Sequence, residues 1–506
     1  MQPKRDLVKS SKNLPKYPLK RRVTRRSPSS RASARKALTN IGDLVFKHVG
    51  GSTAEQEPRL VEVPDIFVWP EALALDRARR PPMRDGADRR SSGLGSGGAA
   101  VGTVHRLEQA LSIFILFMMS DALIGPLLDP TQAGGDDNPW LRAMWLPVYG
   151  LTAGLAAYRW RAMARVWLPM ILVGLLMVLA WFSSAWSIEP DVTSRRVTAL
   201  VFTSLFGVYL GARWSWTEFV TLIAVLGFML AIGSYAVCIG YPTMGVHHDV
   251  NAGDWRGLWF EKNTMGAIMA VGVLASVSTA LTRPTERLRW RLNAALCLGL
   301  VIMTRSGTAL ITIGLIFGAT TALALMRRGP VVGVITLFGA GLLVFGAAVA
   351  QTLAPGVFLT ALGKDPTLTG RTDIWAAILR QASARPWLGF GYGAFWEKTS
   401  APAAFIRAET GWMVPSAHNG WLDILVQLGA VGVAVCAVLL VVTYSLALVR
   451  ALNSRDGDWA VIYLSIFLVT AFSESVLMSR NSLPWTLCVA TVTKILSERR
   501  SAQGRR

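Results

Sequence analysis

Charge is scarce in this sequence. Asp, Glu, Lys and Arg make up 16% of the 506 residues, against roughly 25% in ordinary soluble domains. Cysteine is rarer still. The four, Cys238, Cys297, Cys436 and Cys488, all fall inside apolar runs and none has metal-ligand spacing. That pattern argues against a disulfide framework or a zinc site and fits small buried hydrophobes. The strict apolar/polar alternation of barrel strands is also missing, and only helices or closed barrels satisfy their backbone in lipid. No apolar core follows the early charges, so the N-terminal region does not read as a signal peptide.

What is present is apolar sequence, 52% of the chain. From about residue 109, runs of 15 to 25 apolar residues alternate with short polar connections. A helix crossing ~30 Å of hydrocarbon needs ~20 such residues. Twelve candidate spans follow: 109–128, 143–158, 166–184, 194–211, 217–239, 264–281, 291–303, 308–326, 330–352, 420–449, 459–473 and 484–497. The fold expected is an all-α polytopic membrane protein. Residues 1–104 read as a disordered basic tail, 105–497 as the membrane domain and 498–506 as a second short tail.

The net charge of +21 suggests nucleic acid, but its distribution points to the membrane. The excess sits in the first hundred residues and in alternate connections, such as Arg159, Arg161 and Arg165, then Arg213, then Arg327 and Arg328. This is the positive-inside pattern, and it places both termini in the cytoplasm of a bacterial inner membrane. The tail is suited to anionic lipid, at ~1 kcal/mol per basic residue near the surface. Nucleic acid is not an expected partner.

One connection on the opposite side is far longer than a turn requires. Residues 353–418 form a large periplasmic loop, and long loops with ordinary composition are commonly functional. Within it, Thr372 to Ala384 reads as a helix with Ile374, Trp375, Ile378, Leu379 and Ala382 on one face, suited to the membrane surface. Gly389-Phe390-Gly391-Tyr392-Gly393 lacks the strand and helix of a dinucleotide fold and reads as a flexible turn.

The outer connections also hold cations that run against the insertion bias. Arg256, Lys262, Arg305 and Arg371 stand close to membrane depth, where an unpaired charge costs several kcal/mol. An anionic ligand would supply the partner, and guanidinium suits phosphate because it offers paired donors in one plane. The alternative is pairing with lipid headgroups or with Glu261 and Asp373. His418 closes the long loop, and its type suits a general base. His247, His248 and Asp249 make a poor metal site without distant ligands. No Asp-x-Asp pair of a metal-dependent sugar transferase occurs in an outer connection.

Several of these segments together resemble a known family. They are Thr369-Gly370-Arg371-Thr372-Asp373-Ile374-Trp375, Arg385-Pro386-Trp387-Leu388 leading into the glycine run, and His418-Asn419 followed by Gly429 and Gly432. Trp255-Arg256-Gly257 with Lys262-Asn263 and Gly266, and Arg305-Ser306-Gly307-Thr308, complete the set. The pattern, over roughly 109–497, is similar to the O-antigen ligase and polymerase superfamily, with particular likeness to rhizobial-type exopolysaccharide polymerisation proteins. The resemblance implies a C-type glycosyltransferase fold and a metal-independent transfer with no cofactor. The substrate implied is a glycan on an undecaprenyl diphosphate carrier at the periplasmic face, and the acceptor a glycan or the lipid A core. It further implies that Arg256, Arg305 and Arg371, with Lys262 beside them, hold the diphosphate. His418 would take the acceptor proton, with Asn263, Asp373 and Asn419 in support. It leaves room for a chain-length regulator as partner. Polymerase and ligase share the donor chemistry, and the motifs do not separate them. A transporter is disfavoured, because no internal repeat is visible and the longest loop is not central.

Overall fold

The computed structural model describes residues 95–124, 126, 139–248, 251–353, 371–411 and 413–503. The tail expected before residue 95 lies outside these residues, as do residues 354–370 of the long loop. The described chain is helical, and its one β-bridge joins Val246 to Trp255.

Each of the twelve apolar runs overlaps one helix. In chain order these are α1 (Gly95–Met119), α2 (Pro139–Tyr158), α3 (Trp167–Phe182), α4 (Pro190–Arg213), α5 (Trp216–Gly240) and α6 (Lys262–Thr282). Then come α7 (Arg287–Met303), α8 (Gly307–Met326) and α9 (Pro330–Leu353). Two helices of the long loop follow, α10 (Arg371–Ala382) and α11 (Ala401–Thr410). The bundle is completed by α12 (Gly420–Asn453), α13 (Asp458–Ala471) and α14 (Leu483–Gln503). Among the described residues, five segments are long and apolar enough to cross a membrane by length and composition; α9, α13 and α14 contribute shorter apolar stretches. The chain is a multi-pass membrane protein. α1 starts ten residues before the expected membrane domain, at Gly95. Propagating a nucleated helix backwards into Gly/Ser sequence costs little compared with starting one.

Local signals set the helix starts. Ser215 caps α5 in a reciprocal capping box with Glu218, which satisfies two orphan amides at once. Ser306 caps α8 by accepting from Ala309 N. Small residues let the helices approach. A Cβ on Gly207 or Gly211 of α4 would stand 2.7 Å from the Thr486 or Ala490 carbonyl oxygen of α14. Without a hydrophobic drive between helices in lipid, such close packing is the main attraction available.

The long loop builds its own small core. Ile374, Ala377, Ile378 and Ala382 of α10 are buried against Phe390, Phe395, Ile406, Val414 and Val426. The apolar face of α10 is therefore covered by protein, not laid on lipid, and Leu379 is left 53% exposed.

The glycine run is not a free turn. α12 breaks at Gly429 (φ 65°, ψ −167°), and the chain from Pro386 to Gly391 fills the break. Ala430 N donates to Pro386 O at 2.8 Å and Val431 N to Trp387 O at 3.2 Å. In return Phe390 N donates to Val426 O at 2.8 Å and Gly391 N to Gln427 O at 2.9 Å. Gly429 is buried, and a helix break there leaves backbone groups that need internal partners. The glycine run supplies them.

Candidate active site

The site gathers at the end of the bundle formed by the odd-numbered connections between spans. His418 precedes α12 in a left-handed backbone conformation (φ 46°). Its neighbours are pinned on both sides. Trp375 Nε1 donates to Ala417 O at 2.9 Å, and Ala417 N donates to Asp423 Oδ1 at 3.2 Å. Asn419 then caps α12, its Oδ1 accepting from Trp421 N and Leu422 N. Asn419 thus acts on the backbone that carries His418.

Glu474, in the turn after α13, joins two of the expected residues. One carboxylate oxygen lies 3.6 Å from His418 Nδ1 and the other 3.5 Å from Arg371 Nη2. Arg371 also donates from Nη1 to Ser473 O at 2.7 Å. The His418 separation exceeds hydrogen-bond length. Catalytic contacts of this kind are often long before substrate binds.

Two chambers meet at His418. One has a volume of about 1020 Å3 and the other about 1110 Å3. His418, Glu474, Asn263, Arg196 and Arg480 border both. Arg196 enters from the start of α4. Its guanidinium donates to Gly393 O and pairs with the Glu397 carboxylate. Gly393 has φ 72°, and a Cβ there would lie 2.7 Å from Arg196 Cδ. Glycine is thus required twice over, by the backbone conformation and by the arginine passing over it. Arg480 stands between Met478 and Asn481, both at positive φ. Tyr392 OH donates to Met478 O at 2.6 Å, and Asn481 N donates to Thr203 Oγ1 at 2.8 Å. Asn263 accepts from Ser306 Oγ at 2.7 Å.

The other expected residues form a neighbouring group of their own. Lys262 is buried with Nζ 2.5 Å from Asp254 Oδ2, and Arg305, its side chain 73% exposed, lies 3.5 Å from Asp254 Oδ1. Arg256 donates from Nε to Met244 O at 2.8 Å and from Nη2 to Thr243 O at 3.3 Å. These three do not line either chamber. Asp373 is exposed in the first turn of α10, where a carboxylate complements the helix dipole.

Arg196, Glu474 and Arg480 were not singled out from sequence. Each carries one weak signal, a charge in an outer connection or at a span boundary, and no motif surrounds it. Trp259 stands in the loop before α6. It is buried and donates from Nε1 to Ser120 O at 2.7 Å.

Residues 292–437 match the family described as O-antigen ligase. That segment contains Arg305, Arg371 and His418. The chain is also 26% identical over 414 residues to the exopolysaccharide production protein ExoQ of Rhizobium meliloti (strain 1021), covering 71% of this chain and 88% of that protein. Both likenesses are to the O-antigen ligase/polymerase superfamily. A ligase/polymerase is a glycan-processing membrane enzyme, and its matched segment includes the histidine and one arginine of the site. Arg196, Glu474 and Arg480 lie outside that segment.

Proposed function

We propose that the protein is a membrane glycosyltransferase that polymerises undecaprenyl-diphosphate-linked oligosaccharide units at the periplasmic face in exopolysaccharide synthesis. The observation that carries this reading is the Glu474 carboxylate set between His418 and Arg371 at the meeting of two chambers. One side of that junction can hold a base and the other a departing diphosphate.

In the reaction, His418 removes the proton from an acceptor hydroxyl. The freed oxygen attacks the anomeric carbon of the donor sugar. A new C–O bond forms, and the bond from that carbon to the diphosphate oxygen breaks, releasing the lipid diphosphate. Charge accumulates on the leaving group, where Arg371, Arg196 and Arg480 are already placed. Fixed cations aimed at developing charge stabilise the transition state more than the ground state. This supplies what a divalent metal provides in other transferases. Glu474 balances the imidazolium formed on His418. The Asp254 group with Lys262 and Arg305 fixes the start of α6, and Asn263 thereby reaches the chambers. Arg256 braces the preceding loop.

The Rhizobium relative is named for exopolysaccharide production, which favours a role in secreted polymer over ligation to lipid A core. A deletion strain tests this. Loss of secreted polymer with long-chain lipopolysaccharide intact is the expected result; loss of the lipopolysaccharide with polymer intact would assign the protein as a ligase to lipid A core. With either outcome, His418→Ala and Arg371→Ala should restore no product at normal protein levels. A positioned base contributes ~10²–10⁴-fold. Full complementation by both variants would discard the site.

A further inference from the structure

Exposure along α12 changes abruptly at its break. From residue 421 to residue 430 no side chain is exposed, and Val426 belongs to the small core of the long loop. Val431 is the first exposed residue, and Val438, Val442 and Val449 continue one face. The helix rises about 27 Å from Val431 to Val449, close to the ~30 Å of bilayer hydrocarbon. α3 carries a matching stripe at Ile171, Leu175, Val178 and Phe182. The strap that repairs the break lies where these two stripes end. Trp186, just after α3, donates from Nε1 to Leu388 O at 3.0 Å, and Arg385 donates from Nη1 to Trp186 O at 3.0 Å. On the other side, Val431 N donates to Trp387 O. Pro386, Trp387 and Leu388 are all exposed, Trp387 at 70%.

We propose that residues 385–388 anchor the long loop to the bilayer, with Trp387 and Leu388 at the boundary between acyl chains and headgroups and Arg385 facing headgroup phosphate. The occupant follows from continuity. The strap is hydrogen-bonded to the residues that stand at the ends of two lipid-length stripes, and its own exposed side chains extend the same apolar surface. Left in water, that surface would forgo the gain of burial. Indole is favoured at the boundary because its body is apolar and its N–H is polar. The Arg385 guanidinium lies over the Phe390 ring, 5.1 Å from its centroid, and the residue is still exposed. Its stem can therefore cover apolar surface while its head stays with phosphate and water. α10 does not provide this contact, because its apolar face is covered by protein. The break in α12 then marks the level at which the helix leaves hydrocarbon, and the strap holds the loop at that level.

The test is spin labelling of full-length protein in nanodiscs of phosphatidylethanolamine and phosphatidylglycerol. The four native cysteines are buried, so a cysteine placed on the surface takes the nitroxide, and unsubstituted protein serves as the blank. Trp387→Cys and Leu388→Cys are compared with two references. Val438→Cys lies in the middle of the α12 stripe, and Ala408→Cys is an exposed position beside the exposed Glu409 of α11. Oxygen concentrates in hydrocarbon and a nickel chelate in water, so the ratio of their access to each label reads its depth. Ratios at 387 and 388 between those at 438 and 408 are expected. Ratios equal to that at 408 would leave the strap in water and overturn the anchor. Ratios equal to that at 438 would sink it to mid-bilayer and remove it from the boundary. Low access of both probes would show a protein covering the strap, a second copy included, and would defeat the lipid assignment. Leu388→Cys retains Trp387, so the measurement stands even where the tryptophan is needed for folding. None of these outcomes bears on the glycosyltransferase reading.

Discussion

At the residue scale, the site turns on one carboxylate with two neighbours of opposite use. Glu474 stands within 3.6 Å of both a prospective base and a prospective diphosphate ligand. Replacing it by Gln keeps the shape and removes the charge. The expected outcome is a fall in kcat smaller than that of His418→Ala, with KM for donor little changed, because the imidazolium loses its balance only in the transition state. Glu474→Asp should recover part of the loss. Equal kcat in Glu474→Gln and wild type, measured by single-turnover transfer, would reduce Glu474 to a structural tie. These contacts also explain which site residues sequence reasoning could find. His418 and Arg371 each stand in a distinctive local pattern, and their residue types announce base and anion-binding chemistry. Glu474 follows His418 by 56 positions, and its meaning exists only once α12 and α13 bring the two together. Arg256, Lys262 and Arg305 stand apart from the chambers. Their charge near membrane depth demanded partners, and Asp254 and the loop's own carbonyls supply them.

At the element scale, two glycine patterns that look separate in sequence are one device. The run 389–393 and Gly429 meet where the loop repairs the break in α12. The same loop ends at Gly393, over which Arg196 reaches Glu397. Helix positions were legible because an apolar run of membrane length has few alternatives. The break was not legible, since glycine in a membrane helix is common and says nothing of what docks there. Gly429→Ala should therefore be severe. A non-glycine residue at φ 65°, ψ −167°, a region essentially restricted to glycine, costs about 1–3 kcal/mol, and its Cβ would collide with the backbone of Trp387. A lowered unfolding midpoint in detergent is expected, together with lost activity even in the folded fraction, because Arg196 loses its anchor. A variant with wild-type midpoint and activity would show that the loop docks by other means.

At the scale of the molecule, charge is sorted by end. Odd connections bring Arg196, Arg371, Arg480 and His418 to the chambers and hold Arg256 and Lys262 as ties; even connections use cations as ties. Arg327 at the end of α8 pairs with Asp458 of α13. The densest tie is on Glu108 of α1, 3% exposed, which accepts from Arg159 (2.8 and 2.6 Å), Tyr209 (2.9 Å) and Arg213 (2.9 Å). This single carboxylate joins α1 and α4 to the connection after α2. Removing one partner of a buried charged group costs about 3–5 kcal/mol, since the remaining charges stay behind without compensation. In Glu108→Ala two guanidiniums would also face each other across the gap. Met119, the last residue of α1 and part of the first chamber's lining, lies eleven residues further along, about 16 Å of helical rise. The variant should therefore lose thermal stability in detergent while retaining wild-type kcat per folded molecule at low temperature. If kcat fell and stability held, the Glu108 tie would have to act on the chambers through α1, and the separation of support from chemistry along that helix would fail.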